Sequence, residues 1–351
     1  MNIKEIAIPS LLKIGSGKIQ KIGKYLADRD FNKIALFFSE GIEPIVADDL
    51  YAGLNKFNIQ IIHKDNISDI NIENVVHTAF KIPSDTKVLL GIGGGKALDY
   101  SKYCAHILKL PFISVPTSVS NDGFASPNTS LLVSGKRKSV KSTIPYGVVC
   151  DIDIIANAPA VSLFSGIGDT ISKITALWDW KQSFLKGFED FNDFAGLMAH
   201  NSLDIIYESK NLNIANKEFK YKMVNSLVLS GIAMEIAGSS RPASGSEHLI
   251  SHALDTICKS PKMHGLQVGI ATYLCSYLQN NHFNDIKEFL IKTKFIEFML
   301  NNPIDKISFI EALKMAPSIK PNYYTILSQK DYFDKSVDFI NKDDILKQII
   351  K

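Results

Sequence analysis

A change of hydrophobic pattern near residue 159 constrains the fold of this chain more than any other feature. Before that point, short β-branched runs alternate with segments whose apolar residues recur at helical spacing, and after it the strand-like runs disappear. Such alternation predicts a parallel sheet with crossover helices. We expect an α/β Rossmann-like domain over residues 1–158 and an all-helical domain over residues 159–351. The predicted strands are 33–39, 59–63, 87–92 and 112–116.

The composition is that of a globular protein and excludes several other classes. Apolar residues make up 46% and charged residues 21% of the chain. No apolar run approaches the ~18 residues that cross a bilayer, so we expect no membrane segment. The first residues lack an export signal, so we expect a cytoplasmic protein. Widely spaced cysteines without a CxxC pair predict reduced thiols at Cys104, Cys150, Cys258 and Cys275.

Basic residues are scattered along the chain except for one cluster in the string GKRKSVKS. The cluster lies where we predict a hairpin turn, and it consists of Lys136, Arg137, Lys138 and Lys141. A solvated turn is the favoured interpretation, and a phosphate contact is the alternative. Nothing else in the sequence indicates a nucleic-acid partner.

Three consecutive glycines, Gly93 to Gly95, lie between a predicted strand and a predicted helix. Backbone N–H groups and a helix N-terminus at such a turn form an anion site, and glycine lets a phosphate approach closely. The string differs from GxGxxG and follows a later strand than the first, so the standard dinucleotide fingerprint does not apply. A diphosphate cradle and a plain tight turn are equally compatible with it.

A second polar loop, SVPTSVSNDGFASP (114–127), follows the next predicted strand. Loops at the carboxyl ends of parallel strands are where open α/β sheets bind ligands, so this loop and the glycines could grip one pyrophosphate. A capping and turn segment is the alternative, because the same residue types form loops. The polar side chains are Thr117, Ser118, Ser120, Asn121 and Asp122.

Two histidines, His248 and His252, lie one helical turn apart in SGSEHLISHALD and therefore share a helix face. Packing is the simpler explanation of such a pair. The alternative joins His248 to His264 in KMHGLQVGI and to Asp169 in SGIGDTISK, giving ligands from three helices. Two imidazoles and one carboxylate form a catalytic divalent-metal arrangement. For Asp169 the simpler interpretation is an N-cap, because we place it near the start of the first long helix of the second domain.

Five strings taken in order resemble the iron-containing alcohol dehydrogenase and dehydroquinate synthase superfamily, and within it the sn-glycerol-1-phosphate dehydrogenase family. They are GGGKALD, PFISVPTSVSNDGFASP, the junction from AP to GIGD, RPASGSEHLISH and HGLQVG. The resemblance covers nearly the whole chain. It implies a dehydroquinate synthase-like fold, with a Rossmann-like domain, a helical domain and a metal in the cleft between them.

The resemblance also implies roles for particular residues. Asp169, His248 and His264 correspond to metal ligands, and Asp122 to the carboxylate near nicotinamide and substrate. Two positions depart from the family pattern: Asn121, where members more often have histidine, and Leu266, where HGLQ replaces HGEQ. Residues that correspond to the cofactor site are Gly93, Gly94, Gly95, Lys96, Asp99, Thr117 and Ser118.

The activity that the resemblance implies is reversible reduction of dihydroxyacetone phosphate to sn-glycerol 1-phosphate by NADH or NADPH with zinc, nickel or iron. His252 would deliver the proton. Arg241 is the first candidate for the substrate phosphate, with Lys136 or Arg137 behind it. Glu40, after a predicted strand, would accept bonds from a ribose hydroxyl and so favours NAD, although it could equally face solvent.

Three other functions remain open. One is a metal-dependent dehydrogenase of glycerol or another small polyol, and another is a cyclase like dehydroquinate synthase, which shows no net redox change. The third is a catalytically silent nucleotide-binding or scaffold protein. An unused buried ligand set would be costly to keep unpaired, which argues against the last. We also expect a homo-oligomer.

Overall fold

The computed structural model describes residues 6–351. The chain divides into two compact units, Met1–Pro159 and Ala160–Lys351. The boundary lies one residue beyond the predicted one. Within the described residues, each helix is too short or too polar to span a lipid bilayer. All four cysteines are free thiols.

The first unit contains a six-stranded sheet in the order β1-β8-β5-β4-β2-β3, with all pairs parallel. The central strands are buried on both faces, as parallel sheets covered by helices must be, which explains their continuous apolar runs. The strands are β1 Leu11–Gly15, β2 Lys33–Ser39, β3 Gln60–Ile67, β4 Val88–Gly93, β5 Phe112–Pro116 and β8 Gly147–Asp151.

The helices of the first unit cover the sheet and connect its strands. They are α1 Ile22–Ala27, α2 Glu43–Lys56, α3 Ile72–Lys81, α4 Gly95–Leu108 and α5 Ile152–Ala156, with 3-10 turns at Ile19–Lys21 and Asp122–Ala125. The predicted parallel α/β architecture is confirmed. Two strands, β1 and β8, were not predicted, and β3 extends well beyond the predicted end at residue 63.

The strand order creates one point in the sheet where chain connections leave in opposite directions. From β2 the chain goes outward to edge strand β3 and then returns past β2 to β4. Ligands of open α/β sheets bind at the carboxyl ends of the strands at such a switch point. The carboxyl end of β2 is Ser39, and that of β4 is Gly93. The sheet therefore brings the glycine string and the predicted Glu40 segment to the edge where a nucleotide would bind.

A separate antiparallel hairpin consists of β6 Asn128–Val133 and β7 Lys136–Lys141. Its turn is formed by Ser134 and Gly135, both with positive φ (52° and 73°), as a two-residue turn between twisted strands requires. The prediction that the basic cluster forms the turn is therefore wrong. The four basic residues lie on β7 and are exposed.

The second unit is helical throughout, as predicted. Its 3-10 turn is Ile326–Ser328. Its helices are α6 Ala160–Ile171, α7 Lys173–Leu185, α8 Asp193–Tyr207, α9 Lys217–Ala237, α10 Ser246–Ile257, α11 His264–Gln279, α12 Phe283–Lys292, α13 Phe295–Leu300, α14 Lys306–Ile319, α15 Tyr332–Lys342 and α16 Leu346–Ile349.

Helix α6 corrects the prediction made for Asp169. The helix spans most of the predicted junction, residues 157–169, within which the boundary between the two units falls, and Asp169 lies in its last turn instead of near a helix start. Asp169 is thus not an N-cap. A carboxylate near a helix C-terminus is disfavoured by the helix dipole, so other groups must stabilise its charge.

Helices α6 and α11 touch at glycines. A Cβ atom on Gly168 would lie 1.9 Å from the carbonyl oxygen of Gly265, and one on Gly265 would lie 1.9 Å from that of Ser165. Only the absence of side chains at both glycines permits this approach. Gly168 precedes Asp169 and Gly265 follows His264, so the contact fixes two candidate ligands relative to each other.

Candidate metal centre and cofactor site

Three helices bring Asp169, His248 and His264 together in the second unit. Each offers one ligand atom, and the three atoms lie within 4.8 Å of one another. The Nε2 atoms of His248 and His264 lie 3.5 Å and 3.9 Å from Oδ1 of Asp169. This is the set that the sequence suggested as an alternative to packing.

The far side of the His248 ring is held by a buried carboxylate. Nδ1–H of His248 donates to Oε1 of Glu247 at 2.8 Å. Glu247 also accepts from the backbone N–H of Gly245 at 2.7 Å and from the Thr175 hydroxyl at 2.7 Å. A carboxylate on the outer nitrogen fixes tautomer and orientation, as in many carboxylate–histidine–metal units. Nε2 of His248 is therefore left as the ligand atom.

His264 is oriented in a related way. Its Nδ1 lies 3.1 Å from the hydroxyl of Ser251, one turn after His248 on α10. The rings of His248 and His264 lie 5.0 Å apart between centroids. Both imidazoles thus turn their Nε2 atoms towards the same carboxylate, which is the orientation that a shared cation requires.

Electrostatics in this region favour an added positive charge. Nζ of Lys173 lies 3.3 Å from Oδ2 of Asp169 and donates to its main-chain oxygen at 2.6 Å. Burial alone would raise the pKa of Asp169, but Lys173, His248 and His264 outweigh it and lower the pKa. Two buried carboxylates, Asp169 and Glu247, lie on either side of the His248 ring, and the buried ammonium group of Lys173 pairs with Asp169. Buried charge that is not balanced is costly, so the donor set fits a divalent cation.

Asp179, a buried carboxylate that sequence reasoning missed, anchors the start of α10. Its two oxygens accept the backbone N–H groups of Ser246 at 2.7 Å and Ile326 at 2.8 Å. Burial and the charge of Glu247 raise its pKa to about 7. Because Ser246 begins the helix that carries His248, Asp179 positions that ligand from outside the donor set.

We predict that Asp179→Asn destabilises the fold. An asparagine has one acceptor oxygen, so its NH₂ group would face a backbone N–H and leave that buried donor unsatisfied. The free energy of unfolding should fall by about 1–3 kcal/mol, measured by urea denaturation. Asp204→Asn, at an exposed carboxylate on α8, is the control and should change little. Equal stability of the two variants would contradict this role.

His252 lies beside the donor set without belonging to it. Its ring centroid is 5.6 Å from that of His264 and 6.3 Å from that of His248. It is partly exposed, whereas His248 is buried. The same-face arrangement predicted from the sequence is present, and His252 lies on the more open side.

Arg241, the first candidate for the substrate phosphate, is buried instead of open to a substrate. Its side chain is 0% exposed, pairs with Glu189 and lies with its guanidinium carbon 3.9 Å from the ring centroid of Tyr323. A guanidinium buried against a carboxylate does not offer its charge to a substrate. Its guanidinium instead links the segment that leads into α10 to Glu189 and Tyr323. We therefore do not assign the substrate phosphate to it.

In the first unit, the glycine string forms a close contact at the switch point. Gly93 has φ of +147°, and a Cβ atom there would lie 2.2 Å from the Ser39 hydroxyl oxygen. That hydroxyl accepts the N–H of Gly94 at 2.9 Å, and the N–H of Thr117 donates to the carbonyl of Gly93 at 3.0 Å. The ends of β2, β4 and β5 are thereby joined around the glycines.

The N-terminus of α4 is open. Gly94 is its N-cap and makes no side-chain capping bond, and a Cβ atom on Gly95 would meet nothing within 4 Å. The first N–H groups of a helix have no intrahelical partner and attract anions. Ser118 lies at the rim of this space, because its hydroxyl would be 3.9 Å from a Cβ on Gly94. The backbone here fits a phosphate.

Lys102 is a second residue that sequence reasoning missed. Its buried ammonium donates to the carbonyls of Gly123, Ser126 and Asn128 at 2.7, 3.2 and 2.5 Å. It therefore holds the loop that carries Asp122. The only sequence signal was its place in the helix that follows the glycines.

The other predicted residues of the first unit have varied surroundings. Asp99 accepts the N–H of Ser130 at 3.2 Å and lies 3.5 Å from Nζ of Lys102, so it supports the hairpin and loop. Glu40 and Lys96 are exposed, next to the ends of β2 and β4. The two family departures have structural roles: Asn121 accepts the N–H of Gly123 at 2.9 Å, and Leu266 is buried in α11.

Comparison with known proteins identifies the class first. Residues 13–159 match the sequence model of the family described as iron-containing alcohol dehydrogenase. The solved structure of glycerol dehydrogenase from Schizosaccharomyces pombe shares the fold, with a TM-score of 0.77 and 21% identity over 98% of this chain and 91% of that one. The parallel sheet followed by a helical unit is thus the fold of the iron-containing alcohol dehydrogenases, a class of oxidoreductases.

Relatives with higher sequence identity show which family within this class the chain belongs to. A Metallosphaera sedula protein named glycerol-1-phosphate dehydrogenase [NAD(P)+] is 34% identical over 345 residues, which cover 96% of this chain and 97% of the relative. A Pyrococcus furiosus protein of the same name is 40% identical over 259 residues, or 73% and 75% of the two chains. The chain therefore belongs to the glycerol-1-phosphate dehydrogenase family.

Proposed function

We propose that this protein reduces dihydroxyacetone phosphate to sn-glycerol 1-phosphate, reversibly, with a nicotinamide cofactor and a divalent metal ion. The convergence of Asp169, His248 and His264, with both outer imidazole nitrogens anchored, carries the proposal. The activity for which the relatives are named supplies the substrate. Homo-oligomeric assembly and a cytoplasmic location stay predictions.

The residues of the second unit would hold the metal ion and orient its ligands. Asp169, His248 and His264 would bind the cation, with Glu247 and Ser251 keeping the two rings in place. A cation bound here supplies Lewis acidity to the C2 carbonyl, and a reduced nicotinamide supplies the hydride. The donors suit zinc, nickel or iron alike, so the metal is left open. His252 delivers the proton to the C2 oxygen, directly or through water.

The residues of the first unit bind the dinucleotide. The N-terminus of α4 at Gly95, with Thr117 and Ser118, takes the diphosphate. Glu40, at the end of the neighbouring strand, accepts bonds from a ribose hydroxyl and repels a 2′-phosphate, which favours NAD over NADP. Asp122, held in its loop by Lys102, is the carboxylate assigned to the nicotinamide side.

The phosphate group of the substrate requires cationic or N–H donors. With Arg241 buried against Glu189, the exposed basic residues Lys136 and Arg137 remain the candidates. Nε of Arg137 donates to the Ser130 hydroxyl at 2.8 Å, whereas Lys136 is exposed at the start of β7.

The deciding experiment compares two ketones on metal-reconstituted protein. We expect NADH oxidation with dihydroxyacetone phosphate to exceed that with dihydroxyacetone, and the product to resist oxidation by an enzyme specific for sn-glycerol 3-phosphate. A preference for the unphosphorylated ketone would favour the polyol dehydrogenase alternative. Absence of steady-state NADH turnover with either ketone would remove the dehydrogenase assignment and leave the cyclase alternative.

The cofactor site gives a separate prediction. In Gly95→Ala the added methyl group points into open space where the diphosphate is expected, so the fold should survive while nucleotide binding weakens. Each charge-assisted hydrogen bond contributes about 1.5–3 kcal/mol, so the Kd for NADH should rise by about tenfold or more. Calorimetric titration measures it.

Gly93→Ala is the matched comparison for Gly95→Ala. There the methyl group collides with Ser39, so we expect lost stability as well as lost binding. Unchanged NADH affinity in the stable Gly95→Ala variant would contradict the site.

A further inference from the structure

A second set of possible ligands adjoins the first and shares one member with it. His252, Asp255 and His264 each offer one atom, and these three atoms also lie within 4.8 Å of one another. His252 and Asp255 are three residues apart on α10, so they lie on one face, and His264 begins α11. The set repeats the chemistry of the first, with two imidazoles and one carboxylate.

The carboxylate of this second set is fixed in place. Nε2 of the buried Gln267 donates to Oδ1 of Asp255 at 3.0 Å and to the main-chain oxygen of Lys262 at 2.6 Å. Both partners are acceptors, which determines the orientation of the amide. Oε1 of Gln267 is buried and has no hydrogen-bond partner among the described residues. A buried amide that holds a carboxylate in one orientation is the outer support that metal ligands usually have.

The two sets differ in exposure. Asp169 and His248 are buried, whereas His252, Asp255 and His264 are all partly exposed. A cation from solvent therefore reaches the second set more easily. The shared His264 lies at the boundary between the two positions.

We propose that His252, Asp255 and His264 form an outer divalent-cation position, at which a cation binds first before it passes inward through His264 to Asp169 and His248. The inference rests on the proposed metal centre, but it concerns metal binding alone. It assigns to Asp255 a role that the redox reaction does not require.

An equilibrium experiment tests whether the outer position exists. In Asp169→Asn/His248→Gln the inner set is disabled, and the metal-free full-length protein is dialysed against Co²⁺ without nucleotide or substrate. We expect one Co²⁺ per chain to remain bound, and the further change Asp255→Asn to weaken binding by about tenfold or more. Circular dichroism and thermal unfolding check the fold, and His248→Gln alone is the milder background because it keeps the Asp169–Lys173 pair.

The chain offers a matched control for the ligand types. His200 and Asp204 form an exposed pair on α8, with Nε2 and Oδ2 3.6 Å apart, and belong to no three-ligand set found in the described residues. His200→Gln/Asp204→Asn in the same background should leave Co²⁺ binding unchanged. A folded inner-disabled protein that binds no Co²⁺ would overturn the outer position, and so would equal losses from Asp255→Asn and from the control pair.

A kinetic experiment tests the order of binding. Metal-free protein with an intact inner set is mixed with Co²⁺ in a stopped-flow instrument, and the visible absorption of bound Co²⁺ is followed. We expect Asp255→Asn to load about tenfold more slowly than the unaltered protein. Equal loading rates would overturn the inward route. If the unaltered protein binds no Co²⁺ at all, the proposed metal centre itself fails, which distinguishes that failure from loss of the outer position alone.

Discussion

Replacing Asp169 with asparagine is expected to abolish tight metal binding and to reduce turnover of dihydroxyacetone phosphate by about 10³-fold. The change removes the only charged ligand of the set, and a Lewis acid contributes several kcal/mol to stabilising the developing charge. Because each 1.36 kcal/mol corresponds to tenfold in rate, a loss of that size follows. Metal analysis of the purified variant and steady-state NADH oxidation measure the two effects.

The same substitution should also destabilise the protein, because Lys173 keeps its buried charge without the carboxylate. Breaking a buried ion pair from one side costs about 3–5 kcal/mol. Asp169→Asn/Lys173→Met removes both charges and should recover part of that stability while the metal stays absent. A folded double variant that binds metal and turns over normally would contradict the role of Asp169.

Replacing Gly168 with alanine should disrupt the site without touching a ligand. The new Cβ atom would lie 1.9 Å from the carbonyl oxygen of Gly265, and the backbone at that contact cannot rotate away. Helices α6 and α11 must separate, which carries Asp169 away from His264. We expect a loss of unfolding free energy of about 3 kcal/mol or more and much weaker metal binding, measured by denaturant unfolding and by Co²⁺ titration.

Gly95→Ala provides the control for Gly168→Ala, because its methyl group meets open space at the start of a helix. Alanine is the better helix former, so this variant should be as stable as the parent, or more stable by up to about 1 kcal/mol. If Gly168→Ala retained full stability and metal affinity, the glycine contact would not be what fixes the distance between the ligands.

The strands show how much of the fold could be predicted from the sequence. The residue boundaries of β2 and β5 agree with those predicted, because both strands are continuous apolar runs buried on both faces. Strand β1 was missed because it is a short edge strand of five residues in which only Leu11 is buried. Strand β8 was missed although it is fully buried.

The charged residues show where sequence reasoning fails. The chemistry of Arg241 suited a phosphate, but the fold places a carboxylate and an aromatic ring against it. No motif identified Lys102, Lys173 or Asp179, yet all three are buried. Lys102 holds the loop that carries Asp122, Lys173 holds the candidate ligand Asp169, and Asp179 holds the start of α10. Partners of this kind come from distant parts of the chain, so no local pattern identifies them.

The sequence by itself determined the parallel α/β unit, the helical unit after it and the residue types of the candidate metal centre. Periodicity is a local property, because the apolar face of a strand or helix can be recognised from a few consecutive residues. Only the tertiary structure decided that Asp169 lies in the last turn of a helix, that glycines let α6 and α11 meet, and that His264 belongs to two donor sets. Distances between residues far apart in the chain depend on how closely helices pack. Here the absence of side chains at Gly168 and Gly265 sets the distance between α6 and α11.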